Sequence, residues 1–368
     1  MRSKIKALTL DRWVALALFA VLAAIPFVGT LYTVQTFGKF MSYMILALAL
    51  DVLWGGAGLM DLGFAVFFGI GGYVVGISLS IQHGLPAFMT SGGLTELPAI
   101  YAPLQSVPVA WALAIALPAL VALLMGYFIF TSRVKGVFFN IITLAFASLF
   151  ELFVRNQQAY TGGSSGINGI ARGLSDIPLN TVGWYFLALA VLVGVYALCS
   201  WLMGSRFGKV VNSIRDNEAR LQFLGYNPAT FKMAIFAFAG ALAGLAGALY
   251  IPMTSFISID SGGTVFSTTI LVWLAVGGRG NLCGAMVGAL IVSLLQNQLS
   301  TIFGDTWQLV LGVLLLVIVL FLPDGVVGTL LAHQRRARIE RSRSAAASEP
   351  GDAPAEEGGQ RNAVSRAH

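Results

Sequence analysis

Long apolar runs alternate with short polar stretches along most of the chain. The runs at 14–35, 111–130 and 184–203 hold 20 to 22 residues each and contain no charged side chain. A helical run of that length crosses the roughly 30 Å hydrocarbon layer of a membrane. The pattern therefore predicts an all-α membrane protein that crosses the bilayer many times.

About ten transmembrane segments are predicted, and the third and eighth are rich in glycine. Glycine-rich segments can be broken or re-entrant where the irregular backbone is buried in protein or faces water. The predicted spans are roughly 13–34, 41–60, 63–82, 108–130, 137–154, 183–203, 231–251, 265–279, 283–302 and 308–323.

The basic residues orient these spans. With both termini in the cytoplasm, 19 of the 22 Lys and Arg residues lie on the cytoplasmic side, and only Lys39, Arg155 and Arg172 lie outside. Such asymmetry follows the positive-inside rule. The net charge of +6 is thus explained by topology, and we expect no binding of nucleic acid.

Composition supports a membrane protein with two parts. Hydrophobic residues make up 57% of the chain, and the mean hydropathy is +0.82. We expect a permease domain at 1–330, with no cleaved leader, and a tail at 331–368 that is basic first and then disordered, on the cytoplasmic side. The basic stretch 333–343 is suited to hold the last span at an anionic lipid surface.

A polar segment at 205–232 stands out, because 7 of its 28 residues are charged. Phe207–Ile214 is predicted as a short surface helix, and Asp216 as the N-cap of a second one. Gly225 suits a left-handed C-cap. Asn227 and Pro228 suit the N-cap and first turn of the next span.

This cytoplasmic segment has two interpretations. It can be a solvated linker whose apolar residues lie on the bilayer. Alternatively, its second helix, which has an apolar side and a charged side, can dock a cytoplasmic partner, because docking helices combine apolar anchors with flanking charges.

The polar segment 205–232 and five further motifs resemble the hydrophobic amino-acid and amide importer permeases, a family of ABC transporter subunits, and the resemblance extends over about 45–328. Within 205–232, Glu218, Ala219 and Gly225 match the loop through which such permeases couple to their ATPases. The other matching stretches are WGGAGLMDLGFAVFFGIGGYVVG (54–76), SRVKGVFFNIITLAFASLFE (132–151), TGGSSGING (161–169), WLAVGGRGNLCGAMVGAL (273–290) and LFLPDGVVG (320–328).

The resemblance implies an ATP-driven importer subunit in the bacterial inner membrane. Its partners would be a second homologous permease, two cytoplasmic ATPase subunits, an extracytoplasmic solute-binding protein and membrane lipid. This chain would bind no cofactor itself, because GSRFGK (204–209) is one residue short of a P-loop and no Ser or Thr follows it. The residues expected to couple to the ATPase are Arg215, Asp216, Glu218, Ala219, Arg220, Leu221, Leu224 and Gly225.

Polar residues within the spans are candidates for the translocation pathway. Asp51 lies in the middle of the second span, where a charged group is costly, so it either faces the pathway or bonds a nearby backbone group or Trp54. Asn140 and Thr143 share a helix face and either line the pathway or bond a neighbouring helix. Glu151 continues this face, with pairing to Arg155 as its alternative.

The glycines of 68–76 and 276–280 predict either close helix packing or a break that exposes backbone groups to a solute. No catalytic grouping stands out: the three histidines are scattered, and Cys199 and Cys283 lie in apolar runs, so we expect no enzyme, disulfide or metal site. An ion-coupled carrier that works alone is the rival function, and it would need no docking helix.

Two cargo classes are open. GLPAFM (84–89), SRVKG and AVGGRG resemble the urea and short-amide branch of the family, which we favour, whereas TGGSSGI resembles the branched-chain amino acid branch.

Overall fold

The computed structural model describes residues 2–82, 84–132, 134, 136–170, 180–306, 309, 312 and 313, with the side chains of 2–12, 303 and 305 excepted. These residues are almost entirely helical. The helices are α1 Arg2–Val28, α2 Leu31–Leu50, α3 Ala65–Ile81, α4 Ala87–Ser91, α5 Val107–Thr131, α6 Val137–Asn156, α7 Gln158–Thr161, α8 Thr181–Gly204, α9 Arg206–Phe223, α10 Pro228–Thr254, α11 Thr264–Gly277 and α12 Leu282–Phe303.

Within the described residues, six helices are long and apolar enough to cross a membrane: α2 with its continuation, α5, α6, α8, α10 and α12. The apolar parts of α1, α3 and α11 are shorter. At about 1.5 Å per residue, the 14 residues of α11 reach only about 21 Å, less than the hydrocarbon thickness. The polytopic all-α class is confirmed, while the count of ten and the orientation stay predictions.

The first two predicted spans, 13–34 and 41–60, have the wrong boundaries. The chain breaks at Gly29 and Thr30, and α2 already begins at Leu31. Thr30 is the N-cap, and its hydroxyl accepts a hydrogen bond from the Thr33 N–H at 3.4 Å. The break falls inside an apolar run, which is why hydropathy alone missed it. Apart from 309, 312 and 313, the predicted span 308–323 lies outside the described residues, as does the tail 331–368.

The helix α2 ends in an unusual way. It continues into a single π-helical turn, Asp51–Gly56, and Gly58 then takes a positive φ of 75°. Such single π turns are rare and occur often at functional sites. This break lies just before α3.

The two glycine-rich segments behave differently. The glycines of 68–76 lie within the continuous helix α3, which packs closely on α10: a Cβ on Gly71 would collide with the Gly244 carbonyl, and one on Gly247 with the Phe68 carbonyl. The glycines of 276–280 instead form the turn between α11 and α12, with positive φ at Gly278 and Gly280. Close packing and a break are therefore both present, one in each segment.

The bundle has two distinct faces. The helix α9 joins α8 to α10 at one end, which we call the α9 face. At the opposite end, β1 Ile167–Asn168 pairs antiparallel with β2 Phe256–Ile257, and we call this the strand face. The strand β1 belongs to the TGGSSGING motif, so that motif connects the α6–α8 loop to the segment before α11.

Candidate functional site

On the α9 face, α9 is kinked at Asn217, whose backbone is extended (φ −160°, ψ 94°). The Asn217 Oδ1 accepts a hydrogen bond from the Arg220 N–H at 3.0 Å, as an N-cap side chain does. Two consecutive helical segments were therefore predicted correctly, but the cap is Asn217 and not Asp216. The Asp216 carboxylate instead lies 3.4 Å from the Arg215 guanidinium.

The end of α9 forms a knob, residues 217–226, that is closed by glycine. Gly225 has a φ of 85°, its N–H donates to the Gln222 carbonyl, and the Tyr226 N–H donates to the Leu221 carbonyl. This pair of hydrogen bonds is a Schellman motif, which confirms the predicted C-cap. Asn227 caps α10 through a hydrogen bond from Ala229, also as predicted.

Apolar side chains are displayed at the tip of the knob. Phe223 is 91% exposed and Leu224 is 69% exposed. Leu221, also expected to contact a partner, is buried instead. Phe223 was not among the predicted coupling residues, although it is the most exposed of the three.

The remaining coupling candidates divide between surface and root. Ala219 and Arg220 are exposed on the knob. Glu218 turns toward the bundle, where its carboxylate lies 2.9 Å from the ammonium of Lys232 in α10. Both side chains of this pair are largely buried, with 22% and 9% exposed. Glu218 therefore fastens the knob to α10.

Arg215 reaches the broken end of α2. Its Nη1 donates a hydrogen bond to the backbone carbonyl of Gly55, which lies in the π turn. The aliphatic part of the side chain passes Gly58, where a Cβ would lie 2.9 Å from Arg215 Cγ. A residue expected to face a partner thus also contacts the membrane bundle.

Asp51 is buried at the start of the π turn, with 3% of its surface exposed. Its Oδ1 accepts a hydrogen bond from the Gly280 N–H at 2.6 Å. Gly280 belongs to the turn after α11, 229 positions away along the chain. Asp51 therefore joins α2 to the α11–α12 turn through a backbone group.

A cavity of about 710 Å³ opens on the α9 face beside these groups. It lies among the end of α2, the α5–α6 connection, α9 and the start of α10. Asn140, Arg215, Glu218, Lys232 and Arg279 all line it. One predicted pathway residue, Asn140, thus shares a cavity with predicted coupling residues.

Thr143 forms a hydrogen bond with the connection between α2 and α3. The buried Thr143 hydroxyl accepts from the Leu62 N–H at 3.1 Å, in the connection between α2 and α3. In that connection lies Asp61, a buried acid that sequence reasoning missed; its Oδ1 accepts from the Gly63 N–H at 2.7 Å.

Glu151 lies toward the strand face. Its Oε1 accepts from both the N–H and the hydroxyl of Thr264, at 2.6 and 3.1 Å. Because Thr264 begins α11, Glu151 satisfies the free amide at that helix N-terminus and complements its dipole.

Comparison with known proteins identifies the family. The family model described as "Branched-chain amino acid transport system / permease component" matches residues 32–320. The high-affinity branched-chain amino acid transport system permease protein LivM of Escherichia coli K12 is 26% identical over 84% of this chain and 73% of its own length. The probable branched-chain amino acid transport permease protein LivM of Methanocaldococcus jannaschii is 26% identical over 77% of this chain and 90% of its own.

The ribose import permease protein RbsC of E. coli K12 is 25% identical over 52% of this chain and 61% of its own length. No solved structure matches. The chain therefore belongs to the permease-component family of branched-chain amino acid transport systems, and it is a multi-pass protein of the bacterial inner membrane.

Proposed function

We propose that this chain is one permease half of an ATP-driven ABC importer. The observation that carries the proposal is the knob: an apolar pair, Phe223 and Leu224, is displayed on a helix that is fastened to the bundle by the buried Glu218–Lys232 pair. Exposed apolar anchors flanked by charges are what a groove on a partner recognises. The α9 face is then the cytoplasmic face.

The partners follow from this assignment. Two ATPase subunits bind the knobs of this chain and of a second, homologous permease, and a solute-binding protein delivers cargo to the strand face. Closure of the ATPase pair on ATP draws the knobs together and switches the bundle between two openings, as rigid-body transitions do. ATP is hydrolysed by the partners and not by this chain.

The translocation pathway then passes the polar residues between the two faces. Asn140 borders the cavity on the α9 face, where solute leaves. Asp51, Thr143 and Glu151 hold backbone groups of α11 and its neighbours, so they contribute by fixing the walls of the pathway.

Two cargo classes each have a specific observation in their favour. Urea or a short amide is favoured by the resemblance of GLPAFM (84–89), SRVKG and AVGGRG to that branch of the importer permeases. Branched-chain amino acids are favoured by TGGSSGI and by the names of two relatives that cover most of the chain.

Uptake by cells that express the complete importer tests both levels of this proposal. Labelled urea and labelled leucine are supplied to cells with and without this chain, and with and without a hydrolysis-deficient ATPase partner. We expect uptake of one solute to require both the chain and active ATPase. The solute that moves assigns the cargo.

Two results would count against the proposal. Uptake that continues with the inactive ATPase would support an ion-coupled carrier. Absence of uptake for both solutes, with the importer assembled in the membrane, would remove both cargo assignments.

A further inference from the structure

We propose that Arg215 is a positioning residue within this chain: it links α9 to the turn after α11 through the broken end of α2, and so passes movement of α9 into the membrane bundle. This inference rests on the proposed function, because it presumes that α9 receives force from an ATPase. It gives Arg215 a role distinct from direct contact with that ATPase.

The first step of the link is the hydrogen bond from Arg215 Nη1 to the Gly55 carbonyl. Gly55 lies in the π turn Asp51–Gly56, into which α2 continues. A charged donor binds such a carbonyl more strongly than a neutral one does. Arg215 thus attaches α9 to the end of a membrane-spanning helix.

The second step joins that helix end to the turn after α11. Asp51 accepts the Gly280 N–H at 2.6 Å. Gly55 also packs against the same turn: a Cβ on Gly55 would lie 2.5 Å from the Gly280 nitrogen and 2.7 Å from its Cα. Backbone atoms cannot yield as the tip of a flexible side chain can, so the two segments must move together.

Arg215 also approaches the turn itself. Gly280 has a φ of 78°, and a Cβ there would lie 3.6 Å from Arg215 Nη1 and 3.7 Å from the Gly55 carbonyl oxygen. Arg279, the preceding residue, places its guanidinium 5.9 Å from the centre of the Trp54 ring. The end of α2 and the α11–α12 turn therefore both lie close to the Arg215 guanidinium of α9.

A different contact of α9 serves a different helix. Glu218, the residue directly after the kink at Asn217, pairs with Lys232 near the start of α10. Arg215 lies before that kink and binds α2. The knob is thus fastened at Glu218, and its displacement is passed toward α11 at Arg215.

The test uses the complete importer in proteoliposomes, with uptake of the transported solute and ATP hydrolysis measured in the same vesicles. Arg215→Met keeps an apolar stem beside Gly58 but removes every donor, and Arg215→Lys restores one charged donor. Lys209→Ala is the matched control, because Lys209 is an exposed cation on the same helix.

We expect Arg215→Met to lower the solute moved per ATP hydrolysed by about tenfold, because loss of one hydrogen bond from a charged group lowers by about that factor the equilibrium constant for the state in which α9 and α2 are linked. The amount of assembled importer and the hydrolysis rate should stay near wild type. Arg215→Lys should recover much of the ratio, and Lys209→Ala should leave it unchanged.

If the wild-type importer transports, three results for Arg215→Met would overturn this inference alone. The first is an unchanged ratio of solute moved to ATP hydrolysed. The second is loss of the ATPase from the complex, which would mark Arg215 as a docking residue, and the third is failure of the importer to assemble, which would mark a structural role. A wild-type importer without ATP-dependent uptake would instead overturn the proposed function and this inference with it.

Discussion

The two ends of the short helix α11 are held by similar chemistry. At the strand face, Glu151 from α6 accepts the N–H of Thr264, the first residue of α11. At the α9 face, Asp51 from the end of α2 accepts the N–H of Gly280, in the turn after α11. In both cases an acidic side chain from the first half of the chain satisfies a backbone amide from the second half.

The surroundings of the two ends differ. Glu151 is half-buried and contacts one neighbouring segment, so it acts as a helix cap. Asp51 is buried among close-packed glycines, and Arg215 connects its π turn to α9. A hydrogen bond from a backbone N–H to a carboxylate thus fixes the start of α11 at the strand face. At the α9 face, a hydrogen bond of the same kind forms part of the link to α9. The two ends of α11 therefore differ in how deeply the acid is buried and in whether its segment is linked to α9.

The largest effect is expected from separating the knob from α10 at the α9 face. Glu218→Ala leaves the buried Lys232 ammonium without this carboxylate, which should destabilise the protein by on the order of 3 kcal/mol. The thermal unfolding midpoint in detergent, followed by circular dichroism, measures this loss. The double variant Glu218→Ala with Lys232→Met should recover most of it, and equal loss in both variants would contradict a role for the pair.

The next effect is steric. Gly55→Ala places a Cβ against the Asp51 carboxylate and 2.5 Å from the Gly280 nitrogen, so we expect a destabilisation of about 2 kcal/mol from overpacking. Gly194→Ala is the matched control, since nothing lies within 4 Å of a Cβ at that position. Unfolding midpoints should fall for the first variant only; a similar midpoint in both would show that the two segments are not tightly packed.

A destabilisation of similar size is expected from truncating the buried acid Asp51. Asp51→Ala leaves the Gly280 N–H without its acceptor, at a cost of about 1–3 kcal/mol, whereas Asp51→Asn keeps an acceptor oxygen. Hydrogen exchange at the Gly280 amide, measured by mass spectrometry of the turn peptide, should be faster in the Ala variant than in the Asn variant. Equal exchange rates would argue against this hydrogen bond.

The smallest effect is expected at the strand face. Glu151→Ala removes a half-buried helix cap and should cost about 1 kcal/mol. Glu151→Gln, which retains an acceptor, should lie close to wild type in the unfolding midpoint. If Glu151→Ala destabilises more than Asp51→Ala does, the proposed ranking of the two ends is reversed.

Local features were predictable from sequence and distant ones were not. The Gly225 and Asn227 caps and most helix positions follow from side-chain type and hydropathy over a few residues. The same rules shifted one cap from Asn217 to Asp216, because both side chains suit the position and only the backbone distinguishes them.

The links at the ends of α11 lie beyond such rules. Asp51 and Gly280 are 229 positions apart, and Glu151 and Thr264 are 113 apart. The sequence marked both acids as unusual in apolar runs, but only the packing of the helices identifies their partners. Asp61 was missed for another reason: it lies between the predicted spans 41–60 and 63–82, so hydropathy did not mark it as an acid within the bundle, and only the packing buries it.

The central claim is that an ATPase acts on this chain through the knob at the α9 face. The most direct measurement is the amount of its co-expressed ATPase subunits that remains bound when the permease is purified in detergent. Phe223→Asp places a charge at the 91% exposed tip, and Phe223→Leu keeps it apolar. We expect Phe223→Asp to lose the ATPase although the permease itself remains folded, and Phe223→Leu to retain it; full ATPase binding by Phe223→Asp would contradict an ATPase contact at the knob.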